Sequence, residues 1–179
     1  MTFSLYAAVI PPYQRMLGNL DALLDKAEAW AADQGIAEKD ILGARLAPDM
    51  LDFAYQVKSA SVHSIGAIEG VKRGSFSPDR TPPGESFAAL REQLRSTRAA
   101  IDAISPAEID ILLGRNVRFA FGSHHADFTA EEFLTSMSRP NFYFHMTIAY
   151  ALLRAQGMPI GKTDYIGKFD FVKDEEPRG

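Results

Sequence analysis

One stretch constrains the fold more than any other: Pro140-Asn141-Phe142-Tyr143-Phe144-His145-Met146-Thr147-Ile148-Ala149-Tyr150-Ala151-Leu152-Leu153-Arg154-Ala155-Gln156-Gly157. It opens on proline and closes on glycine, the asymmetry of a helix. Between them it is apolar on nearly every face, which predicts a central rather than a peripheral helix. One imidazole, His145, sits in that apolar run, with Asn141 one turn earlier on the same side. A polar group placed there needs a partner.

The rest of the chain supplies neighbours for it. Residues 3–32 read as a long first helix, with Tyr6, Val9, Tyr13, Leu17, Leu20 and Leu24 recurring at three- and four-residue spacings. Pro11-Pro12 inside that pattern is expected to kink the helix or divide it. A helical turn is expected near Glu38–Leu42. Pro48-Asp49 then starts a second helix reaching about Arg73, with Leu51 or Met50, Phe53, Val57, Ile65 and Ile68 inward. Its many small residues leave room around His63, and Gln56 lies two turns earlier on the same side.

Gly74 to Gly84 reads as a loop with freedom to move. A third helix follows over 86–104, then the capping box Ser105-Pro106-Ala107-Glu108 and a short helix. Val117, Phe119 and Phe121 alternate with Asn116, Arg118 and Ala120, which reads as a strand. With Gly122-Ser123 as turn, 125–128 becomes its partner. Thr129-Ala130-Glu131-Glu132 is a second capping box and opens the last helix, which Pro140 should interrupt or kink. A frayed tail ending in Asp174-Glu175-Glu176 is expected after Gly157. Four long helices with short connections predict an all-α fold: an antiparallel four-helix bundle with a small β-hairpin inserted before the last helix. The 179 residues fit a single domain spanning 1–179.

Composition excludes several functions. A net charge of -4 with no basic stripe argues against nucleic acid as partner. No apolar run is long enough to span a membrane. Phe3 to Ile10 resembles a short signal core but lacks a basic start, so it reads as part of the fold. With no cysteine there is no thiolate site and no disulfide framework, and a cytoplasmic location is expected. Gly157-Met158-Pro159-Ile160-Gly161-Lys162-Thr163 has three residues between its glycines where a phosphate loop has four, and it follows a helix rather than a strand. Ser59, Ser61 and Ser64 near His63 form no nucleophile elbow.

The remaining chemistry lies in His63 and His145. Both fall in apolar-patterned parts of long helices, and bundles build metal sites from facing helices. Zinc catalysis wants three protein ligands, and no His-x-x-x-His pair stands here. Third-ligand candidates are Asn141, Gln56, His124, His125 and Asp127. The other reading makes His63 and His145 satisfied core histidines, bonded to Gln56, Asn141 or a tyrosine. The aromatics Phe142, Tyr143, Phe144 and Tyr150 serve packing, and would also line a small-ligand pocket with Gln56, His63, Asn141 and His145.

Several segments carry a family resemblance. Asn141 to His145 after Pro140, then Ala149-Tyr150, Leu152-Leu153-Arg154, Gly157, Pro159-Ile160-Gly161-Lys162 and Asp164, resemble a family known as a domain of unknown function (numbered nineteen ninety-three). Arg45-Leu46-Ala47-Pro48-Asp49-Met50, Gln56-Val57, His63, Ser4-Leu5-Tyr6, Leu20 and 24–27 are similar to the same family. It is grouped with the DinB/YfiT-like superfamily, which implies a four-helix bundle, often a homodimer. Better-known members imply a divalent metal such as zinc or nickel and hydrolase or thiol-transferase chemistry. Their triad is one His on the second helix and a His pair on the fourth. Here His63 matches the first and His145 one of the pair, while the other falls on Asn141 or Ala149. The resemblance therefore implies two readings: a small-ligand pocket without an intact three-histidine site, or a metal-dependent enzyme using His63 and His145.

Overall fold

In the computed structural model residues 4–169 are described. The expected helix start at residue 3 and the acidic end at Asp174-Glu175-Glu176 lie outside them. The chain is mostly helical, with one small three-stranded sheet.

Helix α1 runs from Leu5 to Gln34, capped by Ser4, whose Oγ accepts from Ala7 N at 3.2 Å. Pro11 and Pro12 do not divide it. Pro12 has no N–H for the Ala8 carbonyl four residues back. Arg139 supplies the missing donor, Nη1 to Ala8 O at 3.0 Å. The other orphaned carbonyl, that of Ala7, belongs to an exposed residue that solvent can serve.

A short helix α2 covers Glu38–Leu42, as expected. The second long run starts later than Pro48-Asp49. Asp52 is its cap, with Oδ1 accepting from Tyr55 N at 3.0 Å, so α3 spans Phe53–Ser61. Leu51 precedes it and is 47% exposed rather than inward. Every residue of α3 except Tyr55 is buried. The run continues through a π-helical turn, Val62–Gly66, into α4, Ala67–Arg73.

Strand β1, Ser75–Phe76, pairs in parallel with β2, Asn116–Phe121, and β2 pairs antiparallel with β3, His124–Thr129. The expected hairpin is present, and β1 adds a strand where the sequence reads as loop. Two residues are too few to show a period. Gly70 permits the close approach, since a Cβ there would stand 2.9 Å from Phe76 Cβ.

The segment after β1 is fixed by a buried cation. Lys58, 2% exposed, donates from Nζ to Thr81 Oγ1 at 2.8 Å and pairs with Asp79 Oδ2 at 3.1 Å. Tyr55 adds a bond from its hydroxyl to Asp79 O at 3.3 Å. A charge so deep requires partners of this kind. The freedom expected for this loop is thereby restrained.

Helix α5, Phe87–Asp102, is capped by Ser86. Helix α6, Pro106–Asp110, and helix α7, Ala130–Glu132, carry the two capping boxes read from the sequence. From α7 the chain passes through a second π-helical turn, Phe133–Ser138, into α8, Arg139–Ala155. Pro140 sits in the first turn of α8, so the helical run is widened ahead of it rather than broken. A last short helix α9, Lys162–Ile166, folds back on α1 where a tail was expected, and Asn19 Nδ2 donates to Tyr165 O at 2.9 Å.

Helix α3 packs chiefly on α8, and α1 on α5. Arg98 pairs with Asp21 and Arg91 with Glu28, so α1 and α5 run antiparallel. Buried apolar residues from Leu5 to Ile160 form the core. Helix α8 buries Phe142, Met146, Ala149, Leu152 and Leu153, but Phe144 on its outer side is 53% exposed. The last helix is central through its inner side, and α3, buried at every residue but Tyr55, is the more enclosed of the two. Among the described residues no helix is long and apolar enough to cross a membrane.

Candidate functional site

Gln56 projects from α3, His63 from the π-helical turn that follows, and His145 from α8. The structure brings these three together. His145 Nδ1 lies 2.7 Å from Gln56 Oε1. The two imidazole rings stack, with centroids 5.5 Å apart and planes inclined at 19°. Because early α3 meets later α8 while His63 meets Ser138, the two helices run antiparallel here.

The hydrogen bonds fix a tautomer. Gln56 Nε2 donates to the Leu51 carbonyl at 2.9 Å, and a carbonyl can only accept. Gln56 therefore turns its oxygen to His145, and His145 must donate from Nδ1. Its Nε2 then carries the lone pair. His63, 6% exposed, has a buried Nδ1 with no hydrogen-bond partner among the described residues. Such an orphan costs on the order of 1–3 kcal/mol and marks a place where structure has yielded to something else.

Both rings are neutral at pH 7. Burial, and after it the neighbouring His145, lowers the pKa of His63 to about 4. Burial likewise lowers His145 to about 4. Phe76 walls His63 with ring centroids 5.6 Å apart, and Phe144 stands edge-on to His145 at 5.4 Å. The site thus presents one free acceptor on His145, an orphaned nitrogen on His63 and aromatic walls.

Two of the residues grouped with these by sequence lie elsewhere. Asn141 turns back on its own helix, donating from Nδ2 to Met137 O at 2.8 Å. Tyr143 lines a separate cavity of about 550 Å³ with Pro11, Pro12, Arg15 and Met16. The third-ligand candidates on β3 are also engaged or remote. Asp127 forms a bidentate pair with Arg118 at 2.7 and 2.8 Å, and His124 and His125 are exposed. Among the described residues no group of three or more His, Cys, Asp or Glu side chains could hold a metal ion. The residues present do not fit a three-ligand centre.

Two neighbours of the cluster are not legible in the sequence. Phe76 lay in what read as loop. Ser138 is buried and donates from Oγ to the His63 carbonyl at 2.9 Å. Its one trace in the sequence is its place two helical turns before His145.

Comparison with known proteins places these features in a family. No curated protein matches the chain. The structure is similar to the crystal structure of a DinB family member protein from Shewanella denitrificans, with a TM-score of 0.79 and 26% sequence identity, covering 95% of this chain and 96% of that one. Residues 5–166 match the family described as "Domain of unknown function (DUF1993)". The chain belongs to that family, within the DinB-like superfamily.

Proposed function

We propose that this protein is a DinB-like bundle that binds a small molecule at the Gln56–His63–His145 cluster, between its second and last long helices, without an intact three-histidine metal site. The observation that carries this reading is the orphaned His63 Nδ1 beside a His145 whose tautomer is held by Gln56. Neutral imidazoles with aromatic walls suit a small uncharged ligand bearing a hydrogen-bond donor, such as an alcohol, thiol or amide. The reading takes the chain as one antiparallel four-helix-bundle domain paired with a second copy, as the superfamily resemblance implies, and as cytoplasmic, in keeping with a sequence without cysteine.

The experiment is a thermal-shift screen with small alcohols, thiols and amides on wild-type protein and His145→Ala. A compound that raises the wild-type Tm should lose its effect in the variant. Shifts that persist undiminished in His145→Ala would remove the cluster from any binding role.

A second reading, a metal-dependent hydrolase or thiol transferase using His63 and His145, has one supporting observation. Metal-binding histidines commonly donate their other ring nitrogen to an anchoring oxygen, as His145 does to Gln56. Two protein ligands alone fall short of the three that a catalytic metal centre wants.

A further inference from the structure

We infer that Ser138 is a positioning residue for His63, holding the main chain of the π-helical turn so that the imidazole faces His145. The inference rests on the proposed site but concerns how that site is assembled.

A π-helical turn fits one residue more than an α-turn and displaces the usual bonding by one position. At the end of that turn the Ala67 N–H goes to Ser64 O and not to the His63 carbonyl, the acceptor an α-helix would give it. Ser138 donates to the His63 carbonyl from another helix, with its hydroxyl 2.9 Å from His63 O. Ser138 is fully buried, and it closes the second π-helical turn of the molecule, Phe133–Ser138. The two widened turns therefore meet through this bond.

The geometry explains why one residue is gripped twice. A helical carbonyl points toward the C-terminus of its helix, while the side chain leans toward the N-terminus. With α3 and α8 antiparallel, the His63 carbonyl points toward the start of α8 and its ring toward the middle. Ser138 and His145 are seven residues apart, two turns on one face. Ser138 thus takes the carbonyl and His145 the ring.

The test is NMR of wild-type and Ser138→Ala protein carrying ¹⁵N-labelled histidine. The inference predicts loss of the Overhauser contact between the His63 and His145 rings and a shift of the His63 ring nitrogens. The His145 Nδ1–H signal should remain, because its bond to Gln56 is untouched. Ser138→Thr, which keeps the hydroxyl, should retain the ring contact. Ser138→Val, the same shape without the hydroxyl, should lose it, and this pair decides if Ser138→Ala fails to fold. A ring contact and His63 shifts unchanged in Ser138→Ala or Ser138→Val would overturn the inference. Failure of ligand binding in wild-type protein, with these ring effects present, would count against the proposed function alone.

Discussion

His145 donates its Nδ1 proton to Gln56 Oε1 at 2.7 Å, and Gln56 is itself held by donation to the Leu51 carbonyl at 2.9 Å. This short chain makes the charge of residue 56 a control on His145. Gln56→Glu would set a carboxylate beside the imidazole and favour its protonated form. The pKa of His145, held to about 4 in the native protein by burial, should rise by at least one unit. Histidine ring titration by NMR reads this directly, and an unmoved value would mean that the two side chains do not touch in solution.

Acid should weaken the fold through the same two rings. Both His63 and His145 titrate at about 4 when folded, against an ordinary value near 6.5 when unfolded. The unfolded chain therefore binds more protons between these values, so stability is full above about pH 6.5 and falls as pH drops toward 4. For His63 the loss is on the order of 3 kcal/mol, and it is smaller for the partly buried His145. Urea unfolding at a series of pH values checks this. His63→Phe, which removes one titrating ring, should flatten the slope.

The buried ammonium of Lys58 should decide whether the segment after β1 stays closed. Lys58→Met keeps the stem and deletes the charge that holds Asp79 and Thr81. A stability loss of about 1–3 kcal/mol is expected from the unpaired groups. Limited proteolysis should cut within residues 77–84 faster than in wild-type protein. Equal cleavage rates would show that other contacts hold the segment.

Arg139 and Pro12 should be coupled although they lie in different helices. Arg139→Met leaves the Ala8 carbonyl without its donor and should cost about 1 kcal/mol. Pro12→Ala restores a backbone N–H in reach of that carbonyl. In the Pro12→Ala background the Arg139→Met change should cost measurably less. A double-mutant cycle by denaturant unfolding gives the coupling, and a value of zero would remove Arg139 from this role.

The sequence was most informative where local chemistry decides structure. Ser105/Glu108 and Thr129/Glu132 are reciprocal caps that act within four residues, and both start helices where expected. The Val117–Phe119–Phe121 alternation gave the hairpin. It was least informative where a partner distant in sequence decides. Lys58 looks like a surface residue, yet tertiary contacts enclose it, and every residue of α3 except Tyr55 is buried. Pro12 signals a break only until Arg139 arrives from the far end of the chain. Asn141 shares a helix side with His145 by spacing, but its own bond to Met137 O takes it out of the cluster. The His63–His145 encounter could be suspected from sequence, but its stacked geometry and the hydroxyl of Ser138 could not.

The metal content of tag-free protein tests the central claim most directly. Protein soaked in zinc or nickel and then dialysed should hold far less than one ion per chain, with His63→Ala giving the same value. One ion per chain, lost in His63→Ala, would contradict the account and establish the metal-dependent reading in its place.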